Sequence, residues 1–255
     1  MILVIFFIVA LFVIAIIVST VSIVSIVSNC RQRRQRRKRR GHKEHYGSTA
    51  VYNWGMNDTE TQPIPNNAMD ANKEMGWDPV IIGKKEATEL AYEYSPILGE
   101  IWSSLRWISQ ADLARLLYVH KYGGAYFDTD CWVQKDFRDK AKDHVILFIE
   151  RELAGLNVLG PREKKTKERK IRIANYAFSA PSPQHPFFRD ALNEAIRRLT
   201  SLPSGVESEE DVLWSTGPDL ITSTYYENSY PDIIRLGQEY VIHTCTGTWR
   251  NFTDS

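Results

Sequence analysis

Between Leu113 and Asp130 the hydrophobic period of the chain changes from helical to extended within a few residues. Leu113, Leu116 and Leu117 recur at helical spacing, Gly123-Gly124 interrupts them, and Ala125 to Asp130 then alternates as a strand. Ser109, followed three residues later by Asp112, reads as a capping box at the start of that helix. A helix returning through two glycines into an apolar strand calls for a layered α/β architecture, with helices covering a sheet.

The strand carries the chemistry. Alternation puts Tyr126, Asp128 and Asp130 on one face and Ala125, Phe127 and Thr129 on the other. Carboxylates two residues apart along a strand lie about 6.5 to 7 Å from each other. They repel, and burying both is unfavourable without a cation nearby. A divalent metal resolves the conflict, and hard oxygen ligands suit Mn²⁺ or Mg²⁺ with open positions kept for water or phosphate. The competing reading is that Asp128 and Asp130 end a strand in a turn, as Asp often does. The context favours a site, because the pair falls at a strand's C-terminal end, where α/β sheets bind ligands, and Gly123-Gly124 permits close backbone approach. Asp112 and Arg115, three apart on one helix face, form either a plain surface ion pair or a set in which Arg115 meets a phosphate or sugar oxygen and Asp112 accepts from a sugar hydroxyl.

Elsewhere the pattern alternates between strand and helix. Residues 41 to about 50 read as a tether, and the domain starts near Val51. Pro79 to Ile82 reads as a short buried strand, Glu86 to Tyr94 and Phe187 to Leu199 as helices, and Glu239 to His243 as a last strand. Thr216-Gly217-Pro218 is a turn leading into another helix, and the charged stretch Gly160 to Lys170 is a solvated loop or hairpin.

The N-terminus differs in kind. Ile2 to Val27 contains no charge, and Ile2 to Val18 is wholly apolar. A helix over Ile2 to Val27 reaches roughly 39 Å, more than the roughly 30 Å of a bilayer core, which predicts one transmembrane helix rather than a cleaved signal peptide. Arg31 to Arg40 carries eight of the 32 Lys and Arg, and every acidic residue follows it, so residues 41–255 hold 24 bases against 31 acids, a balance of −7. Basic residues flanking a span stay on the cytosolic side, so a single-pass protein with a cytosolic domain is expected. The sequons at Asn57 and Asn251 point instead to a Golgi or ER lumenal domain. The expected organisation is thus a transmembrane signal-anchor over 1–28, a basic juxtamembrane segment and linker over 29–50, and a catalytic domain over 51–255.

Some classes drop out. A net acidic domain does not spread the basic face that nucleic-acid binding needs, so no nucleic-acid partner is expected. Cys30, Cys131 and Cys245 are too few and too scattered for a disulfide scaffold or zinc knuckle.

The composite Asp112-Leu113-Ala114-Arg115 followed by Tyr122-Gly123-Gly124-Ala125-Tyr126-Phe127-Asp128-Thr129-Asp130 resembles the D-x-D sugar-binding region of glycosyltransferase family 32, which the clostridial glucosylating toxins share. Pro181 to Pro186 is similar to a Pro-x-His-Pro turn of that family, Thr216-Gly217-Pro218 to a T-G-P motif, and His243 with Gly247-Thr248-Trp249 to its terminal H…G-(S/T)-W. The resemblance implies a GT-A-type nucleotide-sugar-binding fold with a mainly parallel mixed sheet. It also implies a retaining, metal-dependent hexosyltransferase that moves a sugar from a nucleotide diphosphate sugar to a hydroxyl of a glycan, lipid or protein acceptor.

Carried over, Asp128 and Asp130 match the metal and donor aspartates, with His243 as a further metal ligand. Asp112 and Arg115 match contacts to the donor sugar and phosphate, Tyr126 a ribose-side contact, and Trp249 a donor contact. Trp54 matches the tryptophan that stacks on the base, although the family's I-P-x-x-I-H-x-x-W opening is not intact here. Two other classes stand beside this reading. One is a membrane-tethered, non-catalytic sugar- or nucleotide-binding module. The other is a D-x-D phosphatase, which Trp132 and Tyr122-Gly123-Gly124 in the flanks disfavour.

Overall fold

The computed structural model describes residues 48–56, 63–153, 170–202, 205–206 and 208–244, all within the unit Tyr46–Ser255. In chain order these form β1 (Thr49–Asn53), α1 (Asn66–Glu74), β2 (Asp78–Ile82), α2 (Lys84–Tyr94), α3 (Pro96–Trp102), α4 (Trp107–Tyr122), β3 (Gly124–Phe127) and β4 (Cys131–Val133). There follow α5 (Arg138–Ala141), β5 (Val145–Glu152), β6 (Ile171–Ala180), α6 (Pro186–Thr200), α7 (Glu209–Ser215), α8 (Pro218–Glu227), β7 (Ile233–Leu236) and β8 (Val241–His243).

Among the described residues the main sheet has the order β2-β1-β3-β6-β5-β7, and β4 pairs with β8 in a separate two-stranded ribbon. β1 is parallel to β2 and β3, and β5 is parallel to β7. Only β6 is antiparallel to both its neighbours, β3 and β5. The sheet is therefore mixed and mostly parallel, consistent with a GT-A-type fold.

Alternation along the strands divides the core into two layers. Val51 and Tyr126 pack with Leu113, Leu117, Phe188 and Leu220 on one side of the sheet. Ala50, Tyr52, Ala125 and Phe127 pack with Trp77, Phe137 and Phe148 on the other. β3 is buried along its whole length, as a strand covered on both faces must be. α4 lies in the first layer with helices on either side of it, so twelve of its residues are buried, including Ser109, Asp112 and Arg115.

Two glycines make the return from α4 to β3 possible. Gly123 has φ +70° and Gly124 φ +84°, and a Cβ there would come within 3.1 Å of the Ser182 backbone and 3.2 Å of the Thr49 carbonyl oxygen respectively.

Three expectations change. No helix among the described residues is long and apolar enough to cross a membrane. The longest of them, α4, has 16 residues and carries Asp112, Arg115 and Lys121. At about 1.5 Å per residue a helix of that length falls short of a bilayer core. The expected span lies in residues 1–28, outside the described residues. The fold class is corrected to the α/β domain that the described residues form, among which there is no transmembrane helix, and membrane anchoring, a membrane partner and single-pass topology with a cytosolic or lumenal domain are withdrawn. Next, α4 starts at Trp107 with Arg106 as its cap, so Ser109 sits inside the helix and forms no capping box. A capping box is formed instead by Ser208 and Asp211, at the start of α7. Finally, β3 ends at Phe127, and a turn separates it from β4.

Candidate active site

The parallel register of β1 and β3 pairs Ala50 with Ala125 and Val51 with Tyr126. Continued along both strands, it brings Asn53 and Trp54 to the same sheet edge as Asp128. Because β6 runs the other way, its N-terminal half, with Asn175 and Tyr176, reaches that edge too. The loop between α7 and α8 delivers Thr216 to the same place.

Asp128 is the most constrained residue of the group. Its backbone N–H donates to the Tyr176 carbonyl at 2.8 Å, extending β3 by one bond before the chain turns. Its Oδ1 accepts a short hydrogen bond from the Tyr126 hydroxyl and faces Arg115 Nη1 at 3.1 Å. Burial pushes the Asp128 carboxyl up, opposed by the Arg115 charge. Tyr126 is 1% exposed, so its hydroxyl is spent on Asp128.

Arg115 is the hub beneath the site. Nη2 stands 3.1 Å from Asp112 Oδ1, Nη1 donates to the Asn175 carbonyl at 2.8 Å, and the guanidinium carbon lies 4.7 Å from the Tyr126 ring centre. Burial opposes its charge, but Asp128, Tyr126 and Asp112 together hold it firmly protonated. Asp112 in turn accepts from Asn175 Nδ2 at 2.8 Å and from Thr216 Oγ1 at 3.1 Å. It is 4% exposed, and burial lifts its carboxyl to about 7 against the pull of Arg115. The surface ion pair weighed from spacing alone is thus a buried network.

Asp130 and His243 complete the edge. β4 and β8 pair Cys131 with His243, and Thr244 donates through N and Oγ1 to the Asp130 carbonyl at 3.2 and 3.3 Å. His243 Nε2 is then 3.2 Å from Asp130 Oδ1 and 3.8 Å from Asp128 Oδ2. Burial lowers the His243 imidazole, but the Asp130 hydrogen bond and the two carboxylate charges raise it on balance. The carboxylates converge through the turn after Phe127, not through strand alternation as the spacing predicted.

A divalent cation fits this donor set. Two carboxylates and an imidazole nitrogen face one point, and their side chains are 23%, 20% and 17% exposed, so the point is open on one side. Carboxylate with imidazole suits Mn²⁺ better than the all-oxygen preference of Mg²⁺. Asp130, Cys131 and His243 also form a cluster with ligand atoms within 4.8 Å of one another. Cys131 is a poor member of it, because burial pushes its thiol well up and its Sγ donates to the Tyr176 carbonyl at 3.5 Å.

Of the residues expected from sequence, Asp112, Arg115, Tyr126, Asp128, Asp130 and His243 come together. Trp54 sits half-buried just after β1, with its backbone N–H donated to the Ile82 carbonyl at 3.0 Å. Trp249 lies outside the described residues. Sequence reasoning missed Asn175, Tyr176 and Asn72. Asn175 and Tyr176 are adjacent polar-capable residues in a strand otherwise apolar from Ile173 to Phe178, which was the available signal. Asn72 offered none. It lies in α1, is fully buried, donates to the Tyr52 hydroxyl at 3.0 Å and the Cys131 carbonyl at 2.9 Å, and accepts from Val133 N at 2.8 Å.

Residues 56–148 match the family model described as "Glycosyltransferase sugar-binding region containing DXD motif". That span contains Asp112, Arg115, Tyr126, Asp128 and Asp130, while Asn175, Thr216 and His243 lie beyond it. The chain is accordingly related to glycosyltransferases through this region, which supports sugar transfer in general terms. No curated protein matches. Among solved structures the chain is similar to "PaToxG Glycosyltransferase", at 15% identity over 71% of this chain and 69% of that one, with a TM-score of 0.45. It is also similar to one titled "Structure of Transferase", at 13% identity over 78% of this chain and 93% of that one, with a TM-score of 0.37. Likenesses at that level carry no argument about this site.

Proposed function

We propose that this chain is a nucleotide-sugar-dependent hexosyltransferase of the family 32 type, passing a hexose from a nucleoside diphosphate donor to a hydroxyl of a glycan or protein acceptor. The observation that carries the reading is the convergence of Asp128, Asp130 and His243 at the sheet edge, backed by a buried network whose cation, Arg115, faces inward. Asp128, Asp130 and His243 would hold Mn²⁺, which when bound supplies positive charge against a diphosphate leaving group.

The protein's own part is orientation. Arg115 and the Tyr126 hydroxyl hold one oxygen of Asp128 and leave Oδ2 facing His243, so Arg115 acts as a positioning residue. Asn175 and Thr216 fix both oxygens of the buried Asp112, which holds the Arg115 guanidinium in place beneath the site. Trp54, which follows β1 at the same edge, would stack on the base, as the family resemblance implies. With so many side chains already fixed, the site needs little reorganisation when charge develops on the leaving group.

The test is the thermal midpoint of the chain against a panel of UDP and GDP sugars, with and without Mn²⁺. A ligand that binds only the folded state raises the midpoint, by about 2.7 kcal/mol of stability at 100 times its Kd. A shift requiring both Mn²⁺ and one nucleotide sugar, accompanied by release of that sugar, is expected. No shift with any donor would overturn the reading.

A further inference from the structure

A cation site that includes a histidine needs that imidazole held in one orientation, and β8 alone does not provide this. β8 has three residues, Val241 to His243, and pairs among the described residues with the equally short β4. The support comes from the main sheet. The Tyr176 ring packs against the His243 ring with centroids 4.3 Å apart and planes tilted at 30°, nearer to face-to-face than to edge-on. Tyr176 is rigidly placed, 7% exposed on β6 between β3 and β5. Its carbonyl meanwhile accepts from Asp128 N at 2.8 Å and from Cys131 Sγ at 3.5 Å. One residue therefore fixes the aspartate turn through its backbone and the histidine through its side chain, although Asp128 and His243 are 115 positions apart in the sequence.

We propose that Tyr176 is a positioning residue for the cation site, setting the His243 ring by stacking so that Nε2 faces Asp128 and Asp130. This rests on the reading of Asp128, Asp130 and His243 as metal ligands. Residues that orient metal ligands commonly change affinity by about 10- to 100-fold when altered. Substitution at Tyr176 removes the ring and leaves the backbone carbonyl in place, so the two roles separate.

The experiment uses the full chain with Mn²⁺ alone. Pulsed EPR reads the coupling of the metal to a histidine nitrogen, and continuous-wave EPR titration reads its Kd. The unaltered chain should show nitrogen coupling that His243→Gln abolishes. Tyr176→Leu should bind Mn²⁺ about tenfold more weakly with the nitrogen coupling diminished or lost. Tyr176→Met, whose unbranched chain fills irregular space well, should do the same and guards against a folding failure of the first variant. Tyr176→Phe should restore both readouts.

Full nitrogen coupling and affinity in the Leu or Met variant would overturn the proposal. Loss of coupling in the Phe variant would overturn it as well, by assigning the effect to the hydroxyl and not to the stacked ring. If the unaltered chain binds Mn²⁺ without nitrogen coupling, or does not bind it, the metal-site reading itself fails. That result is distinct from a failure confined to the Tyr176 variants.

Discussion

Arg115 Nη1 stands 3.1 Å from Asp128 Oδ1, joining the middle of α4 to the turn beyond β3. The same guanidinium reaches Asp112 and the Asn175 carbonyl, so three segments distant in sequence are referred to one planar group. A lysine ammonium is a single point charge and cannot satisfy that fork. Arg115→Lys should lower kcat/KM for nucleotide-sugar turnover about 10- to 100-fold, in line with the loss of outer-shell support for a ligand. Leaving two carboxylates poorly compensated should also cost roughly 3 kcal/mol in denaturant unfolding. A variant with full turnover would show that Asp128 is held by its other contacts.

Asp130→Asn should leave the fold almost untouched, because this carboxylate lies beside another of like charge and ends no buried network. It should remove the rise in thermal midpoint that Mn²⁺ produces in the unaltered chain. Persistence of that rise, or a large fall in the metal-free midpoint, would assign Asp130 to the fold instead.

Asn72 takes the place of a neighbouring strand. Its amide bonds the Cys131 carbonyl and the Val133 N–H on the edge of β4 that β8 does not cover. Asn72→Leu fits the space but strands both groups, and should cost roughly 2 to 4 kcal/mol in denaturant unfolding. A loss within about 0.5 kcal/mol, the range of ordinary surface substitutions, would mean that water replaces the amide there.

Glu194 shows how pH enters. Hydrogen bonds from Arg197 and then Arg198, at 2.5 to 2.7 Å, hold its carboxyl below the ordinary value of 4.5. A carboxyl depressed by folding stabilises the folded state above its unfolded value, and that contribution disappears as pH falls through the folded one. The midpoint of Glu194→Gln should thus lie below that of the unaltered chain at pH 7, with the gap closing as pH drops below 4.5. An equal gap from pH 7 to well below 4.5 would exclude the titration as its cause. Arg198, 3% exposed and bonded also to the Trp214 carbonyl and Ser223 Oγ, is the route by which this pair reaches α7 and α8.

Much of the fold could be read from periodicity. The helical runs at Glu86 to Tyr94 and Phe187 to Leu199 became α2 and α6 with ends displaced by a residue or two. β5 and β6 were not anticipated, because strands buried on both faces show no alternation and the stretch before β6 is dominated by charge. The reversed direction of β6 has no sequence signature, since it depends on which neighbours it finds. In the site, Asp128 and Asp130 stood out because a D-x-D after an apolar strand is a local pattern. The contacts of Tyr176 with Cys131 and of Asn175 and Thr216 with Asp112 span 45 to 104 positions, and no local pattern encodes a partner that far away. The expected alternation of Asp128 and Asp130 failed for a local reason: the Asp128 carbonyl accepts from Cys131 N at 3.0 Å, closing a turn where a strand was expected.

The β4–β8 ribbon joins Asp130 to Thr244, 114 positions further along the chain. A chain emerging from the ribosome therefore completes α4, β3 and β6, with their Arg115–Asp128 pairing, well before it can present His243 to the aspartates. On the reading proposed above, tight cation binding would wait for β8 to pair with β4, so a chain stopped short of His243 would keep the Arg115 network and lack the third ligand.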